Sequence, residues 1–188
     1  MIENKHDLDR YLQADRLALG YKSSFVNSVK LFFGFYPNYK FIRILRYLEF
    51  LINSHNRFLN FLSHVYYIRF VNYRTKVGCL IEPNSIDEGL NIAHIGGIII
   101  NGNVKIGKNF SIRPYSVIGN KADGKNKEIP IIGDNVSVGC NCSIIGNVRI
   151  GSNVVIGAGS VVISDVPDNC IVVGNPARVV KKINDIGV

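Results

Sequence analysis

The C-terminal half of this chain repeats an aliphatic residue at every sixth position. After an interruption beyond Ile118, the same spacing resumes at Ile132. A period of six fits neither an α-helix, with about 3.6 residues per turn, nor an alternating hairpin strand. It predicts a mainly β fold, a left-handed parallel β-helix of hexapeptide repeats, in which each of three short sides points one aliphatic residue inward. The repeated positions are Ile100, Ile106, Ile112, Ile118, Ile132, Val138, Ile144, Ile150, Ile156 and Val162.

The predicted domain boundaries follow from where the repeat begins, breaks and ends. We place the β-helix domain at residues 77–188, with ten hexads from His94 to Pro167 and a C-terminal cap at 168–188. Residues 120–131 are polar, charged and glycine-containing, and they break the period. We interpret them as a loop extruded from one corner, because long loops in compact repeats are usually functional.

Residues 1–76 lack this period and predict an N-terminal α-helical domain. The expected helices span residues 7–20, 39–53 and 57–73, and Asp7 is the predicted cap of the first. Helix 39–53 has one apolar face. Its opposite face is predicted to carry basic and aromatic side chains, namely Lys40, Arg43, Arg46, Tyr39, Tyr47 and Phe50.

This helical half is strongly basic, since nine Lys or Arg residues between Lys22 and Lys76 accompany a single acid, Glu49. The helix expected at 57–73 is aromatic nearly all round, and helix 39–53 carries aromatic residues on both faces. They therefore need cover from the β-helix, from another subunit or from a membrane surface.

Composition excludes several other classes of protein. No apolar stretch reaches the roughly 18 residues of a membrane-spanning helix, and the N-terminus lacks a signal-peptide core. We therefore expect a cytoplasmic protein, with peripheral contact at the inner membrane face left open.

The four cysteines form no CxxC pair and His94 is the only histidine of the repeat half, so no metal site or zinc-dependent β-helix enzyme is expected. No glycine-rich phosphate loop precedes the repeat, which argues against a nucleotidyltransferase, and no nucleic-acid partner is expected.

Five segments resemble the hexapeptide-repeat acyltransferases. Within that superfamily they are most similar to the serine acetyltransferase-like branch, and there to the colanic-acid and capsular polysaccharide O-acetyltransferases. The resemblance covers about residues 77–182. The segments are GLNIAHIGGIIINGNVKIG (89–107), FSIRPYSVIGN (110–120), IPIIGDNVSVG (129–139), IGAGSVV (156–162) and VVGNPARVV (172–180).

The resemblance implies acetyl transfer from acetyl-CoA to a hydroxyl, with His94 as the catalytic base. A histidine suits this reaction because its ordinary pKa is about 6.5. We place His94 in phase with the hexads, one step before Ile100, and expect its ring to face outward into a subunit cleft. The alternative is a structural histidine that caps the first coil. Candidates to orient the ring are a backbone carbonyl or the acids Glu82, Asp87 and Glu88, and the backbone amides of Gly96 and Gly97 could bind the oxyanion.

Acetyl-CoA is expected to lie along the last coils, where its extended arm meets backbone beside small residues. The alternative for the glycines is purely geometric, because the corners of the coil require them. Arg178 is expected to meet the nucleotide phosphates. The candidate binding residues are Gly139, Cys140, Ala158, Gly159, Ser160 and Arg178. The resemblance also implies a homotrimer, or a multiple of it, with active sites between subunits.

Two departures from true serine acetyltransferases bear on the acceptor. Those enzymes pair the histidine with an aspartate about fifteen residues upstream, where this chain has Cys79 and Leu80. They also place an Arg-His pair before the loop proline, where this chain has Glu128 and Ile129. We therefore expect a carbohydrate acceptor, a sugar hydroxyl of a surface polysaccharide or its precursor. Serine as acceptor and a non-enzymatic β-helix scaffold are the alternatives.

Overall fold

The computed structural model describes residues 1–22, 24–121 and 129–183. Four helices precede the strands: α1 (Lys5–Ala18), α2 (Phe25–Phe32), α3 (Pro37–Asn53) and α4 (Arg57–Val77). Fourteen short strands follow. They are β1 (Cys79–Ile81), β2 (Asn91–Ile92), β3 (Ile98–Ile100), β4 (Lys105–Ile106), β5 (Ser111–Ile112), β6 (Val117–Gly119), β7 (Ile131–Ile132), β8 (Ser137–Val138), β9 (Ser143–Ile145), β10 (Arg149–Ile150), β11 (Val155–Ile156), β12 (Val161–Val162), β13 (Cys170–Gly174) and β14 (Ala177–Lys182).

The strands wind into a three-sided coil, as the six-residue period predicts. The first sheet has the order β1-β3-β6-β9-β12, the second β10-β7-β4 and the third β14-β13-β11-β8-β5-β2. Pairing between successive coils is parallel, and Ile118 is in register with both Ile100 and Ile144. Because β1 pairs with β3, the coil begins at Cys79, one coil earlier than the hexads counted from His94.

Asparagines support the corner between the second and third sheets. Asn109, Asn135, Asn153 and Asn169 all have positive φ, a conformation that asparagine tolerates better than most residues. Their side chains form a ladder in which each amide donates to the next, at 2.9, 3.0 and 2.8 Å. The ladder pairs polar groups along this corner from the second coil to the last.

At the C-terminal end of the coil, β13 and β14 form an antiparallel hairpin. This hairpin occupies the predicted cap region, whose residues 184–188 lie outside the described part. The predicted loop 120–131 also lies largely outside it, since residues 122–128 are not described. Its flanks are described, and β6 and β7 both pair into the coil on either side of it.

The helices differ from the sequence prediction in their ends and in number. The N-cap of α1 is Asn4, whose side chain accepts from the Asp7 amide, so Asp7 lies in the first turn and the predicted cap was wrong. Helix α4 continues to Val77 and ends at Gly78, which has the left-handed conformation that glycine adopts without strain. Helix α2 was not predicted.

One face of the helical half packs on the β-helix. Of the β-helix, another subunit and a membrane surface, the β-helix therefore covers this face. Phe41, Leu45 and Leu48 of α3 and Phe70 of α4 join the same buried cluster as the aliphatic residues of the coil. Among the residues that the structure describes, no helix combines the length and the apolar character needed to cross a membrane.

Arg46 does not lie on an exposed basic face, and that prediction was wrong. Its side chain is fully buried. The guanidinium forms ion pairs with Asp15 of α1 at 2.8 Å and with Glu49 of α3 at 2.9 Å. It also donates to the carbonyls of Ile86 and Asp87 in the first coil, at 2.8 and 2.7 Å. Arg46 therefore ties two helices to the β-helix.

Candidate functional site

Most of the predicted site residues lie along one corner of the coil, between the third and first sheets. We call this edge the His94 corner and define it as residues 93–97, 113–116, 139–142 and 157–160. Backbone hydrogen bonds connect its four levels in order: Tyr115 N to Gly96 O, Asn141 N to Pro114 O, and Gly159 N to Cys140 O, at 3.2, 3.0 and 2.9 Å. The chain therefore stacks segments far apart in sequence into a single column.

His94 is exposed at the first level of this column, as predicted, but its place in the repeat differs from the prediction. The in-phase position is Ile92, which pairs with Ile112 and is fully buried. From Ile92 to Ile100 the step is eight residues, whereas Ile100 to Ile106 is six. The two extra residues let the chain bulge at this corner, and His94 lies on the bulge. The His94 ring can therefore point outward without leaving a gap in the apolar core, because Ile92 fills the inward position.

Gly96 and Gly97 shape the bulge beside His94. Both have positive φ, and a Cβ on Gly97 would lie 2.6 Å from Cδ1 of Tyr115. Tyr115 itself has a φ of 62°, which is unusual for a bulky residue and costs conformational energy. The Tyr115 ring is 69% exposed. An aromatic side chain thus stands in solvent directly beside the histidine segment.

The three acids considered for orienting His94 are engaged elsewhere. Glu82 accepts from Arg74 of α4 at 2.5 Å. Asp87 accepts from the Tyr11 hydroxyl at 2.5 Å, and Glu88 forms an ion pair with Lys108 at 3.0 Å. These contacts hold α1 and α4 on the first coils. The structure therefore does not assign any of the three acids to the imidazole.

The predicted small residues occupy the third and fourth levels of the column. Gly139 leaves no room for a side chain, since a Cβ there would lie 2.6 Å from the Ala158 amide nitrogen. Cys140, Ala158 and Gly159 are exposed. In the part of the chain that the structure describes, the backbone N–H groups of Cys140 and Ala158 donate to no backbone carbonyl. These two amides can donate to a ligand.

Ser160 and Cys142 stabilise the corner from inside. The Ser160 side chain is buried and its hydroxyl donates to the Gly157 carbonyl at 2.6 Å. Cys142 donates to the same carbonyl at 3.2 Å, and burial raises the pKa of its thiol, which keeps it protonated. The Ser160 hydroxyl is therefore engaged within the protein, and the predicted contact of acetyl-CoA with the backbone near Ser160 stays a prediction.

Arg178 lies just past the last level of the column. In the hairpin it pairs with Val173, whose side chain lies against Gly157, with Val173 Cγ1 2.6 Å from where a Cβ would be. The Arg178 side chain is exposed. The hairpin also exposes Lys181 and Lys182. Arg178 thus places a positive side chain at the end of the column opposite to His94.

Arg113 was missed by the sequence analysis. It follows β5 at the second level of the column, between His94 and Cys140, and it is exposed. Two features of the sequence could have indicated it. Arg113 immediately precedes Pro114, and it comes directly after a strand of the third sheet, as Ala93 and Gly139 do. Among residues 1–22, 24–121 and 129–183, no group of three or more His, Cys, Asp or Glu side chains is arranged to hold a metal ion.

Comparison with known proteins agrees with this architecture. Residues 129–164 match the family described as bacterial transferase hexapeptide (six repeats). A putative colanic acid biosynthesis acetyltransferase of Escherichia coli K12 is 45% identical over 95 residues, which is 50% of this chain and 58% of that protein. A serine acetyltransferase of Buchnera aphidicola is 39% identical over 103 residues, which is 54% of this chain and 39% of that protein.

The same relationship appears in three dimensions. A crystal structure of Neisseria gonorrhoeae serine acetyltransferase superposes with a TM-score of 0.78 at 29% identity, covering 96% of this chain and 69% of that one. The chain therefore has the predicted left-handed β-helix, with a match to the hexapeptide transferase family over residues 129–164. Its homologues include colanic acid and serine acetyltransferases, and it spans 58% and 39% of the length of the two relatives described above.

Proposed function

We propose that the chain is an acetyl-CoA-dependent O-acetyltransferase with His94 as its general base. The observation that carries the proposal is the His94 corner, where the exposed imidazole stands in line with the two unpaired backbone amides of Cys140 and Ala158. Three coil spacings of about 4.8 Å separate the levels of His94 and Ala158, or about 14 Å. An extended arm with two amide groups can lie along such a column.

In the proposed reaction, His94 accepts the proton of the acceptor hydroxyl as that oxygen attacks the thioester carbonyl. A C–O bond forms, the C–S bond breaks, and the proton passes from the imidazolium to the leaving CoA thiolate. Backbone N–H groups at Gly96 and Gly97 are proposed to stabilise the oxyanion. A backbone carbonyl or a neighbouring subunit would orient the ring, because Glu82, Asp87 and Glu88 have other partners.

The small residues have two different proposed roles, because three of them are exposed and two are buried. Cys140 and Ala158 are proposed to donate their amides to the arm of acetyl-CoA, and Gly159 to leave room for it. Gly139 and Ser160 shape the corner from beneath. Arg178, with Lys181 and Lys182, is proposed to bind the nucleotide phosphates, since guanidinium and ammonium groups form strong charge-assisted hydrogen bonds with phosphate.

Ala158→Leu tests this placement of acetyl-CoA. The added side chain would cover the column and remove one or two hydrogen bonds, so we expect KM for acetyl-CoA to rise about tenfold. Asn147→Leu is the matched control, because Asn147 is also exposed in the fourth coil but lies at a different corner. We expect Asn147→Leu to leave KM within about twofold of wild type. Equal KM changes in the two variants would contradict the assignment.

We propose a sugar hydroxyl of a surface polysaccharide or its precursor as the acceptor. The position where serine acetyltransferases carry an aspartate is filled here by Cys79, which is fully buried in the coil, and by Leu80. Free serine brings an ammonium and a carboxylate, both of which need partners when desolvated. A sugar needs only hydroxyl partners and an aromatic platform, which the exposed Tyr115 ring offers. The name of the colanic acid relative supports the same acceptor class.

An acceptor panel tests this proposal. With acetyl-CoA as donor, we expect thiol release to depend on a glycan acceptor, with kcat/KM for free L-serine well below about 10⁴ M⁻¹s⁻¹. The serine alternative is supported by the superposition on serine acetyltransferase, and it predicts the reverse order of the two acceptors. If a folded protein releases no thiol with either acceptor and does not bind CoA, the non-enzymatic scaffold is favoured.

We propose that the active unit is a homotrimer, or a multiple of it, with the His94 corner at the contact between subunits. Leu80 and Ile99 are adjacent in register on the outer face of the first sheet, and they are 40% and 43% exposed. This outer face adjoins the His94 corner. The reaction is proposed to take place in the cytoplasm, where acetyl-CoA is supplied and where the four free cysteines stay reduced.

A further inference from the structure

A cavity of about 370 Å³ opens between α2, α3 and α4, on the side of α3 that faces away from the β-helix. Three cationic side chains line it: Lys40, Arg43 and Arg69. No Asp or Glu is among its lining residues. Tyr47 and Tyr66 complete its polar wall. The proposed acetyl transfer makes no use of this cavity.

The three cations rest on aromatic rings and not on carboxylates. The guanidinium carbon of Arg43 lies 6.0 Å from the centroid of Tyr47, and that of Arg69 lies 5.8 Å from the centroid of Tyr66. In the described part of the chain, neither arginine has a carboxylate within ion-pair distance, whereas Arg46 and Arg74 do. Like charges that share a small cavity repel each other, and an anion among them removes this repulsion.

The sequence around the cavity keeps this surface positive. No acid occurs between Asp15 and Glu49, and both of these acids are buried partners of Arg46. Burial raises the pKa of Tyr66, although Arg69 and Arg43 act in the opposite direction, so the phenol stays protonated at neutral pH. The cavity therefore combines cations with a hydroxyl donor, which is the donor set that phosphate oxygens require.

Four exposed phenylalanines lie on α2 and in the segment just after it. Phe25, Phe32, Phe33 and Phe35 are 85%, 79%, 71% and 69% exposed, and Phe32 also lines the cavity. Four exposed phenylalanines on and just after a short helix form an apolar surface that water solvates poorly. We call these four side chains the phenylalanine rim. A soluble anion would fill the cavity and leave the rim in water.

We propose that this surface docks on an anionic phospholipid membrane. The cavity between α2, α3 and α4 holds a phosphate head group, and the phenylalanine rim enters the boundary between head groups and acyl chains. This surface shares Lys40, Arg43 and Tyr47 with the face predicted from sequence, but Arg46 and Tyr39 of that face are buried.

Co-sedimentation of the full chain with vesicles tests the proposal. We expect binding to phosphatidylcholine vesicles that contain phosphatidylglycerol, and little binding to phosphatidylcholine alone. Binding should weaken as salt is raised, because exposed charges are screened. Absence of binding to the anionic vesicles at low salt would overturn the proposal.

Paired variants locate the contact. Arg43→Gln with Arg69→Gln removes two cavity charges and should weaken vesicle binding about 30-fold, since each basic residue near an anionic surface contributes about fivefold. The control is Lys105→Gln with Arg149→Gln, which removes two exposed charges from the second sheet and should change binding less than threefold. Phe33→Ser with Phe35→Ser should also weaken binding at least tenfold. Equal losses in the cavity pair and the control pair would overturn the assignment to this surface.

Two further measurements separate the lipid from other occupants. If inorganic phosphate raises the melting temperature in a way that requires Arg43 and Arg69, while vesicles are not bound, the cavity is a soluble-anion site and the membrane proposal is wrong. Sedimentation velocity compares the wild type with Phe33→Ser/Phe35→Ser. A smaller assembly in that variant, together with no vesicle binding by the wild type, would make the rim a subunit contact and overturn the proposal.

Discussion

Replacing His94 with alanine is expected to lower kcat for acetyl transfer by about two to four orders of magnitude, the usual contribution of a positioned general base. Acetyl-CoA binding should change little, because the proposed contacts with the arm lie two and three coils further along the column. Stability should also be unaffected, since the imidazole is exposed on a bulge outside the apolar core. The effect should therefore appear in the chemical step alone.

Steady-state release of CoA, together with direct titration of CoA, separates these contributions. His64→Ala is the matched control, because His64 is an exposed histidine on α4 and takes no part in the proposed site. Its turnover should equal that of the wild type. A folded His94→Ala protein with kcat within about threefold of wild type would refute the assignment of His94 as the base.

The architecture of the β-helix could be predicted from sequence because each coil side obeys a local rule. One inward aliphatic residue per six fixes which residues are buried. The inward residues Ile112, Val138 and Ile156 are in register on successive coils. The same rule places any residue of the repeat at a level and a corner. For this reason small residues chosen at 139–140 and 158–160 lie on the same edge.

The exact setting of His94 could not be predicted by the same rule. The step from Ile92 to Ile100 departs from six, and the phase counted backward from Ile100 therefore landed on His94 instead of Ile92. A bulge is an irregularity of the repeat, and the signal for it was the pair Gly96-Gly97, both with positive φ. The same departure from regularity leaves the His94 side chain exposed to solvent.

Arg46 shows a different limit of sequence reasoning. On a helical projection it shares a side with Lys40 and Arg43, which are partly exposed. Its partners are distant in sequence, since Asp15 belongs to α1 and the carbonyl of Ile86 belongs to the first coil. Helix periodicity contains no information about such partners. Charge alone therefore predicted a surface position for a side chain that is the centre of a buried network.

Arg46→Met is expected to destabilise the protein by about 3–5 kcal/mol, because it leaves two buried carboxylates without their cation. Burial opposes the charged guanidinium, but Glu49 and Asp15 more than offset this effect and raise the pKa of Arg46 above its ordinary value. Arg46 is thus charged at any pH at which the protein folds. For a chain of this length, the loss corresponds to a fall in Tm of roughly 6–20 °C. Thermal and urea unfolding would measure it.

Two variants distinguish lost charge pairing from lost packing. Arg43→Met removes a half-buried arginine of the same helix that has no carboxylate partner among the described residues, and it should change stability by less than about 1 kcal/mol. Combining Arg46→Met with Asp15→Asn and Glu49→Gln removes the buried negative charges. The amide oxygens of the new side chains can still accept from the backbone N–H groups of Gly89, Leu90 and Asn84. The triple variant should therefore recover a substantial part of the loss, because an uncompensated buried charge costs more than a neutral polar group that keeps its hydrogen bonds. If the triple variant is no more stable than Arg46→Met, the cost lies in packing between α1, α3 and the first coil, and the electrostatic account of this network is wrong.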